Sequence, residues 1–433
     1  MSTPPPPTSL NLKAVVHETG LSPDVLRAWE RRYGVPQPVR STGRQRLYSP
    51  SDVAILKWLV ARQGEGMTIS RAVALWRERE ATGAGGPEVR AGESEAQTSA
   101  IADLRRDWLA ACLAFDRQTG DSVLARAFAL YPVLVVCEDI LLGGLAEIGA
   151  RWYLGEVTVL QEHFTAALAA QQVARLIGAT PVPWKEGRVF IGCVADEHHF
   201  LAPLLFTLIL RGRGWDAVFL GANVPTNAFG QLQQQPRPTL VVLAAERLAT
   251  AARLLESGEV LRALGLPLAY GGQVFDQMPS LRKRIPGTFL GETLGGVASE
   301  IDQIIGRPPV EASEPVPAEF TAASAAILEH LPSMEAIVGR ELGGGGDPAT
   351  QTLSQTLNLA RNLAAGLRLG SVESLRAEIA WAAGWLRHRG ILAAHVRDYL
   401  LTYRGVLSAQ LGDRGALAVT WLDRLIDEGG TDG

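Results

Sequence analysis

The chain of 433 residues is 47% hydrophobic and 20% charged, which is typical of a globular protein with a sizeable core and leaves room for about three domains. No apolar stretch of about 18 residues runs uninterrupted, so we expect no membrane span. The three cysteines have no paired spacing, and the N-terminus lacks the basic and apolar regions of a signal peptide. These features argue against a disulfide-bonded secreted protein and favour a cytoplasmic one.

Charge is distributed unevenly along the chain. Residues 1–80 carry twelve Lys or Arg and seven Asp or Glu residues, a net charge of +5, whereas the remainder carries 29 and 38, a net charge of −9. A basic N-terminal segment on an acidic body is the pattern expected of a DNA-reading domain attached to a larger regulatory protein.

The N-terminal segment has the pattern of a winged helix-turn-helix. Residues 1–10 form a proline-rich arm that we expect to be disordered. Residues 11–81 show two helical patterns separated by a tight turn, with Ser22 as the N-cap and Pro23 in the first turn of the second helix. A basic wing follows around Gly43. The candidate DNA-binding side chains lie on the second helix and the wing and are Arg27, Arg31, Arg32, Tyr33, Arg40, Arg44, Arg46 and Tyr48.

This segment resembles the winged helix-turn-helix of the MerR family. The resemblance rests on residues 27–34 and 40–48, which are close to the family pattern at full length. A helix with arginines on adjacent turns can enter the major groove of DNA, and arginines of the wing can pair with flanking phosphates. We therefore expect double-stranded promoter DNA as a partner. The alternative is a solvated basic helix of a protein-interaction domain.

Three further segments follow. Residues 82–97 are rich in glycine and predict a flexible linker. Residues 98–182 have helical periodicity and predict a four-helix bundle. Residues 187–307 alternate strands and helices, which implies a doubly wound, Rossmann-like parallel sheet with right-handed crossovers. Its strands are expected over residues 189–194, 217–220, 240–244, 266–270 and 288–290.

A candidate metal ligand follows the first strand of this sheet. The run Glu197-His198-His199 comes soon after the apolar segment that ends at Val194. Open α/β sheets bind ligands beyond the carboxyl ends of their strands. A histidine there can offer one ring nitrogen to a metal while a partner holds the other. Taken alone the pattern is weak, because a loop histidine is more often simply solvated.

Three stretches together resemble the B12-binding module of the MerR-type light-responsive repressors, the CarH/LitR family. They are Glu-x-His at 197–199, a tryptophan followed after nine residues by Glu-His at 152–163, and the glycine pair 271–272 after a later strand. The resemblance covers roughly residues 100–307. It implies that His199 is the lower ligand of a cobalt ion and that Glu197 shapes the loop. The other implied cofactor-binding residues are Trp152, Val159, Glu162 and His163 at the upper face, and Gly271 and Gly272 near the nucleotide tail.

The cofactor implied by the resemblance is cobalamin in its adenosyl form. In the family, light breaks the cobalt–carbon bond of this cofactor, which alters the oligomeric state and hence the affinity for DNA. The same resemblance implies a homo-oligomer, a dimer or a tetramer.

The sequence departs from the family pattern at three positions. Ala202 stands where the family has a glycine, and Ala244 where it has a serine that helps to hold the nucleotide tail. Tyr153 stands where light-cleaved members use a histidine as an upper cobalt ligand, and a phenol does not replace imidazole well in that role. The lower ligand can therefore be retained while the product of the light reaction differs.

Residues 308–433 lie beyond the resemblance. Their composition predicts a linker and then a helical bundle, with histidines and aromatic residues at helical spacing. This bundle could serve oligomerisation or form a second sensor pocket. One alternative function is therefore a light sensor that binds a bilin. Another is a subunit of a cobalamin-dependent methyltransferase or mutase, although a MerR-like segment has no place in such an enzyme.

The sequence as a whole predicts a multidomain α and α/β protein. Its parts are a winged helix-turn-helix, a four-helix bundle, a Rossmann-like B12-binding sheet domain and a C-terminal helical bundle. The predicted function is that of a non-enzymatic, DNA-binding transcriptional regulator that senses cobalamin and responds to light.

Overall fold

The computed structural model describes residues 10–19, 21, 23–36, 38–40, 46–64, 69, 73, 76, 91–233, 237–291, 293–305, 307–312, 314–342 and 348–427. The chain forms two compact units, Met1–Ala100 and Ile101–Gly433. Within the described ranges no helix is long and apolar enough to cross a membrane.

The first unit contains the predicted winged helix-turn-helix. Its helices are α1 (Leu12–Thr19), α2 (Pro23–Tyr33) and α3 (Pro50–Gly64), and its strands are β1 (Leu10–Asn11), β2 (Val39–Arg40) and β3 (Arg46–Tyr48). The strands form an antiparallel sheet in the order β1-β3-β2. Leu10 was expected in the disordered arm and instead begins β1. Residues 1–9, the expected N-cap Ser22 and residues 41–45 of the wing lie outside the described residues.

A four-helix bundle follows, as predicted. It comprises α4 (Ala91–Leu113), α5 (Arg117–Leu130), a long third helix and α8 (Val159–Gly178). The third helix consists of α6 (Val133–Val135), a π-helical segment (Val136–Leu142) and α7 (Gly143–Tyr153). Because α4 begins at Ala91, it includes residues that the composition had placed in the flexible linker. Trp108 is fully buried in the bundle core.

In the part of the second unit that the structure describes, the sheet has five parallel strands in the order β5-β4-β6-β7-β8. The strands are β4 (Arg188–Val194), β5 (Asp216–Val224), β6 (Leu240–Ala244), β7 (Leu268–Gly271) and β8 (Thr288–Phe289). The connecting helices are α9 (Leu201–Gly212), α10 (Leu248–Ala263), α11 (Gln273–Gln277) and α12 (Leu294–Ile304). Single-turn or 3₁₀ segments at Thr226–Gln233 and Pro279–Arg284 complete the connections. The predicted strands and the doubly wound arrangement are confirmed.

Helix α9 lies between the bundle and the sheet. Leu204 and Leu208 belong to the core of the bundle, whereas Phe206 and Ile209 belong to a core on the sheet. The helix is apolar on all sides because both of its faces are covered. The bundle is thereby held against the helix that follows the candidate histidine loop.

The described residues of the C-terminal segment form six helices: α13 (Ala318–Glu341), α14 (Pro348–Leu357), α15 (Leu359–Leu369), α16 (Val372–Arg387), α17 (Ala393–Leu411) and α18 (Ala416–Asp427). A 3₁₀ turn, Gly412–Gly415, joins the last two. Their core is continuous with that of the sheet domain, since Leu254 and Tyr270 share one buried cluster with Leu363 and Tyr403. The helical region is therefore packed onto the sheet domain along α10 and is not a freely attached module.

Candidate functional site

The candidate histidine loop lies at the point where the order of the sheet reverses. The chain leaves β4 for β5 on one side and then returns to β6 on the other, so the loops after β4 and β6 flank this switch point at the carboxyl edge. In doubly wound sheets, ligands bind in the crevice at that point. The loop after β4 carries Glu197 and His199, and the loop after β6 carries Glu246 and Arg247.

Glu197 and His199 form a tightly held pair. The Nδ1 atom of His199 lies 2.6 Å from Oε1 of Glu197, which also accepts a hydrogen bond of 3.0 Å from the backbone N–H of His199. The side chain of Glu197 is only 2% exposed, whereas that of His199 is 63% exposed. Since Nδ1 is engaged by the carboxylate, Nε2 is the nitrogen left to meet a ligand.

The second carboxylate oxygen of Glu197 is held from the neighbouring loop. Oε2 accepts hydrogen bonds of 2.8 Å from the backbone N–H of Glu246 and of 2.8 Å from Oγ1 of Thr250. Burial raises the pKa of Glu197, but the hydrogen bonds from His199, Glu246 and Thr250 outweigh burial and hold it at about 2. The carboxylate is therefore ionised, and its hydrogen bond raises the pKa of His199.

Thr250 was not among the residues singled out from the sequence. Its hydroxyl donates to a carboxylate 53 residues away, across the switch point, and a threonine in the first turn of a helix carries no distinctive sequence signal. The hydroxyl also accepts from the backbone N–H of Arg247 at 3.1 Å, so it fixes the start of α10 as well as Glu197. At position 244, where the family has a serine, this chain has the alanine that ends β6.

The two glycines after β7 differ in their surroundings. Gly272 has φ +130°, and a Cβ built there would overlap the carbonyl oxygen of Ala245. A side chain is therefore excluded at Gly272 by the protein's own backbone. A Cβ at Gly271 would meet no atom within 4 Å, so open space adjoins this residue at the carboxyl edge of β7. Of the two glycines, Gly271 is the one whose missing side chain leaves room for a ligand.

The predicted upper-face residues lie on the bundle helices α7 and α8. Thr158 and Gln161 form a capping box that fixes the start of α8. Val159, the first residue of α8, is 49% exposed, and His163 is 73% exposed with its Nδ1 atom 2.7 Å from Oε2 of Glu162. Helix α8 packs against α9, which begins directly after the histidine loop. The exposed apolar and polar side chains of α8 are thus available to a ligand.

Trp152, the remaining upper-face candidate, contacts the C-terminal helices. Its ring centroid lies 5.6 Å from that of Trp385 on α16, and the guanidinium of Arg389 lies over both rings. The neighbouring Tyr153 donates a hydrogen bond of 3.2 Å to the carbonyl oxygen of Trp381. These contacts could not be predicted from the sequence, because the resemblance ends before residue 308.

Among the DNA-binding candidates, Arg27 is exposed on α2 and Tyr33 is half-buried at its end. Arg46 is engaged by Glu30, with its Nε atom 2.9 Å from Oε2 of that residue. Tyr48 is 1% exposed, so its side chain belongs to the core of this unit. This differs from the expectation that Tyr48 faces DNA. The side chains of Arg31, Arg32 and Arg40 and the whole of Arg44 lie outside the described residues.

Two family models match the chain. The model described as MerR HTH family regulatory protein matches residues 10–78, and the model described as B12 binding domain matches residues 104–177. The first covers the winged helix-turn-helix and the second covers the four-helix bundle. The chain thus carries a DNA-binding domain and a B12-binding domain.

Two solved structures are similar to part of the chain. The monomethylamine corrinoid protein of Methanosarcina barkeri is 18% identical and aligns with a TM-score of 0.40 over 47% of this chain and 96% of its own. A cobalamin-binding protein from Desulfitobacterium hafniense is 16% identical, with a TM-score of 0.26 over 47% of this chain and 100% of its own.

Two curated relatives match most of their own length. The HTH-type transcriptional repressor CarH of Myxococcus xanthus is 32% identical over 260 residues, which are 58% of this chain and 85% of that protein. The HTH-type transcriptional repressor CarA of the same organism is 31% identical over 272 residues, which are 61% of this chain and 86% of that protein. Neither the bilin alternative nor the enzyme-subunit alternative gains support from these matches. The chain belongs to the CarH/CarA family of HTH-type transcriptional repressors.

Proposed function

We propose that the chain is a transcriptional repressor whose affinity for promoter DNA depends on cobalamin bound at the carboxyl edge of the parallel sheet. The observation that carries this proposal is the Glu197–His199 pair. A buried, ionised carboxylate fixes one ring nitrogen of an exposed histidine at the switch point, which leaves Nε2 as a single nitrogen ligand for cobalt.

The surrounding residues fit a large, flat cofactor with a nucleotide tail. His199 would supply the lower ligand, and the open space beside Gly271 would admit the tail between strands. Trp152, Val159, Glu162 and His163 would meet the upper face. Position 272, by contrast, requires a glycine because a side chain there would overlap the backbone of Ala245.

We further propose the adenosyl form of the cofactor and a response to light. When bound, adenosylcobalamin supplies a cobalt–carbon bond that visible light can cleave. Tyr153 occupies the position of the family's upper histidine, but its hydroxyl is bonded to the carbonyl oxygen of Trp381. Position 153 therefore offers no imidazole, and we expect a product of illumination that lacks a histidine ligand from this position.

The test is the absorption spectrum of the purified full chain with added adenosylcobalamin. His199→Ala should abolish the histidine-ligated spectrum. His198→Ala is the matched control, because His198 is also exposed and lies one residue away, while among the described residues the side-chain partner of Glu197 in this loop is His199. Loss of the spectrum in His198→Ala but not in His199→Ala would show that the ligand is His198 and that the assignment of His199 is wrong by one residue.

DNA binding and oligomeric state complete the test. Binding of the full chain to its promoter fragment, measured in the dark and after illumination, should change together with the oligomer size seen by size-exclusion chromatography. A chain that binds cobalamin through His199 but shows the same DNA affinity in every cofactor state would contradict the regulatory part of the proposal.

A further inference from the structure

Helix α7, which ends at Trp152 and Tyr153, is capped by an arginine from the C-terminal helices. Arg389 lies in the turn after α16, where its Nη2 atom donates to the carbonyl oxygen of Trp152 at 3.0 Å and its Nη1 atom to that of Tyr153 at 3.3 Å. These carbonyls belong to the last turn of α7, where helices lack intrahelical donors and favour a positive charge. Arg389 therefore caps α7 from the C-terminal helical region.

The same guanidinium is enclosed by two tryptophans. It lies 3.5 Å from the ring centroid of Trp385 and 5.5 Å from that of Trp152. Within the described part of the chain no carboxylate forms an ion pair with it. Arg389 also donates a hydrogen bond of 3.3 Å from Nη1 to the carbonyl oxygen of Trp385. Its contacts with the end of α7 and with the Trp152 ring would be lost together if α7 moved away from α16, whereas those with Trp385 would remain.

A second residue of α16, Trp381, contacts both the bundle and the sheet domain. The ring centroid of Trp381 lies 5.6 Å from that of Tyr153, which belongs to the bundle. The guanidinium of Arg247, which follows β6 at the carboxyl edge of the sheet, lies 5.5 Å from the same tryptophan ring. Helix α16 therefore contacts both the bundle and the loop after β6. The backbone of that loop donates a hydrogen bond to Glu197.

We propose that Arg389 is a positioning residue for the upper face of the cofactor site, and that it holds Trp152 in place from the C-terminal helices. This inference rests on the proposed function and adds a component to it. The C-terminal helices become part of the sensor, because a displacement of Trp152 by a bound ligand is opposed by Arg389 and transmitted to α16.

The experiment compares Arg389→Gln with Arg424→Gln in the full chain. Arg424 is an exposed arginine on α18 of the same helical region. Arg389→Gln should weaken cobalamin binding by about tenfold, the size expected for losing hydrogen bonds of a charged donor. It should also change the visible circular dichroism of the bound cofactor, while the His199-ligated absorption spectrum is retained. Arg389→Lys keeps the charge at the helix end and should restore part of the loss.

A measurement without cofactor tests the contact itself. In the unloaded protein, hydrogen exchange across residues 150–158 should be faster in Arg389→Gln than in the wild type, with Arg424→Gln unchanged. Equal exchange rates in all three proteins would overturn the inference.

The failure of the proposed function has a different signature. If the wild type does not bind cobalamin, the proposed function falls and this inference with it. If the wild type binds through His199 and Arg389→Gln has the same affinity and circular dichroism, only the positioning role of Arg389 is wrong.

Discussion

The hydroxyl of Tyr153 occupies the space directly beside Gly384, so that a methyl group at position 384 would overlap it. The contact joins the last residue of α7 to the last turn of α16. The absence of a side chain at Gly384 is thus what allows Tyr153 to reach the carbonyl oxygen of Trp381.

The substitution Gly384→Ala should therefore displace the Tyr153 ring. Alanine favours a helix over glycine by about 1 kcal/mol, but that gain should be offset here by the lost hydrogen bond. Gly339→Ala on α13 is the matched control, since a Cβ there meets no atom within 4 Å. In thermal unfolding, Gly339→Ala should be the more stable variant. Equal stabilisation of both would contradict the packing of Tyr153 against Gly384.

The glycine pair after β7 offers a second matched comparison. Gly272→Ala should lower the free energy of unfolding by about 1–3 kcal/mol, because the backbone would be strained and the methyl group would overlap Ala245. Gly271→Ala should leave stability almost unchanged and weaken cobalamin binding, as the added methyl group fills open space. Denaturant unfolding of the unloaded protein and a binding titration separate the two effects. A stable, non-binding Gly272→Ala variant would reverse the assignment.

Two arginines of the winged helix-turn-helix should behave differently. Arg27→Ala should weaken DNA binding and reduce the slope of log K against log salt by about 1. Arg46→Ala should also lower the stability of this unit by up to about 1 kcal/mol, because Arg46 is partly buried against Glu30. Fluorescence anisotropy at several salt concentrations and calorimetry provide the measurements. An unchanged salt slope in Arg27→Ala would remove this residue from the DNA-binding surface.

The buried thiols of the bundle give a prediction about pH. Burial raises the pKa of Cys112 to about 11 and that of Cys137 to about 12, from an ordinary value of 9.0. The folded state therefore keeps its thiol protons to higher pH than the unfolded state. The raised pKa values of the two thiols therefore stabilise the folded state below about pH 9. This stabilisation is lost as the pH rises towards 11. Thiol labelling at pH 9 should follow unfolding of the bundle, and rapid labelling of the folded protein would contradict the burial.

Removal of residues 319–433 should destabilise the sheet domain. Helix α10 packs against α15, where Arg368 pairs with Glu259, and the core is shared. Truncation would expose the apolar side of α10 to water. We expect a lower melting temperature and increased binding of a hydrophobic dye. A truncated chain that melts like the full chain would show that the two regions are separable.

The strands and the Glu197–His199 pair could be predicted because their signals are local. Each strand is a short apolar run, and the spacing of Glu197 and His199 places them in one loop. The partners of that pair could not be predicted in the same way. Thr250 and the backbone of Glu246 meet Glu197 only because β4 and β6 are neighbours in the sheet.

The contacts of the C-terminal helices with the bundle could not be predicted from the sequence either. Trp152 and Trp385 are far apart in the chain, and an aromatic residue at helical spacing is ordinarily explained by its own domain's core. The π-helical segment at Val136–Leu142 gave no sequence signal either, since its composition is that of an ordinary apolar helix.

Helix α9 has a consequence for how a signal could leave the site. Its residues Leu201 and Pro203–Leu210 are buried, and it begins directly after the His199 loop. A close-packed helix with both faces enclosed can bend or slide only if its neighbours move too. A pull on the loop at the lower side of the cofactor would therefore displace α9 along its whole length. The bundle and the sheet would then move relative to each other as two rigid bodies, without any local unfolding at the site.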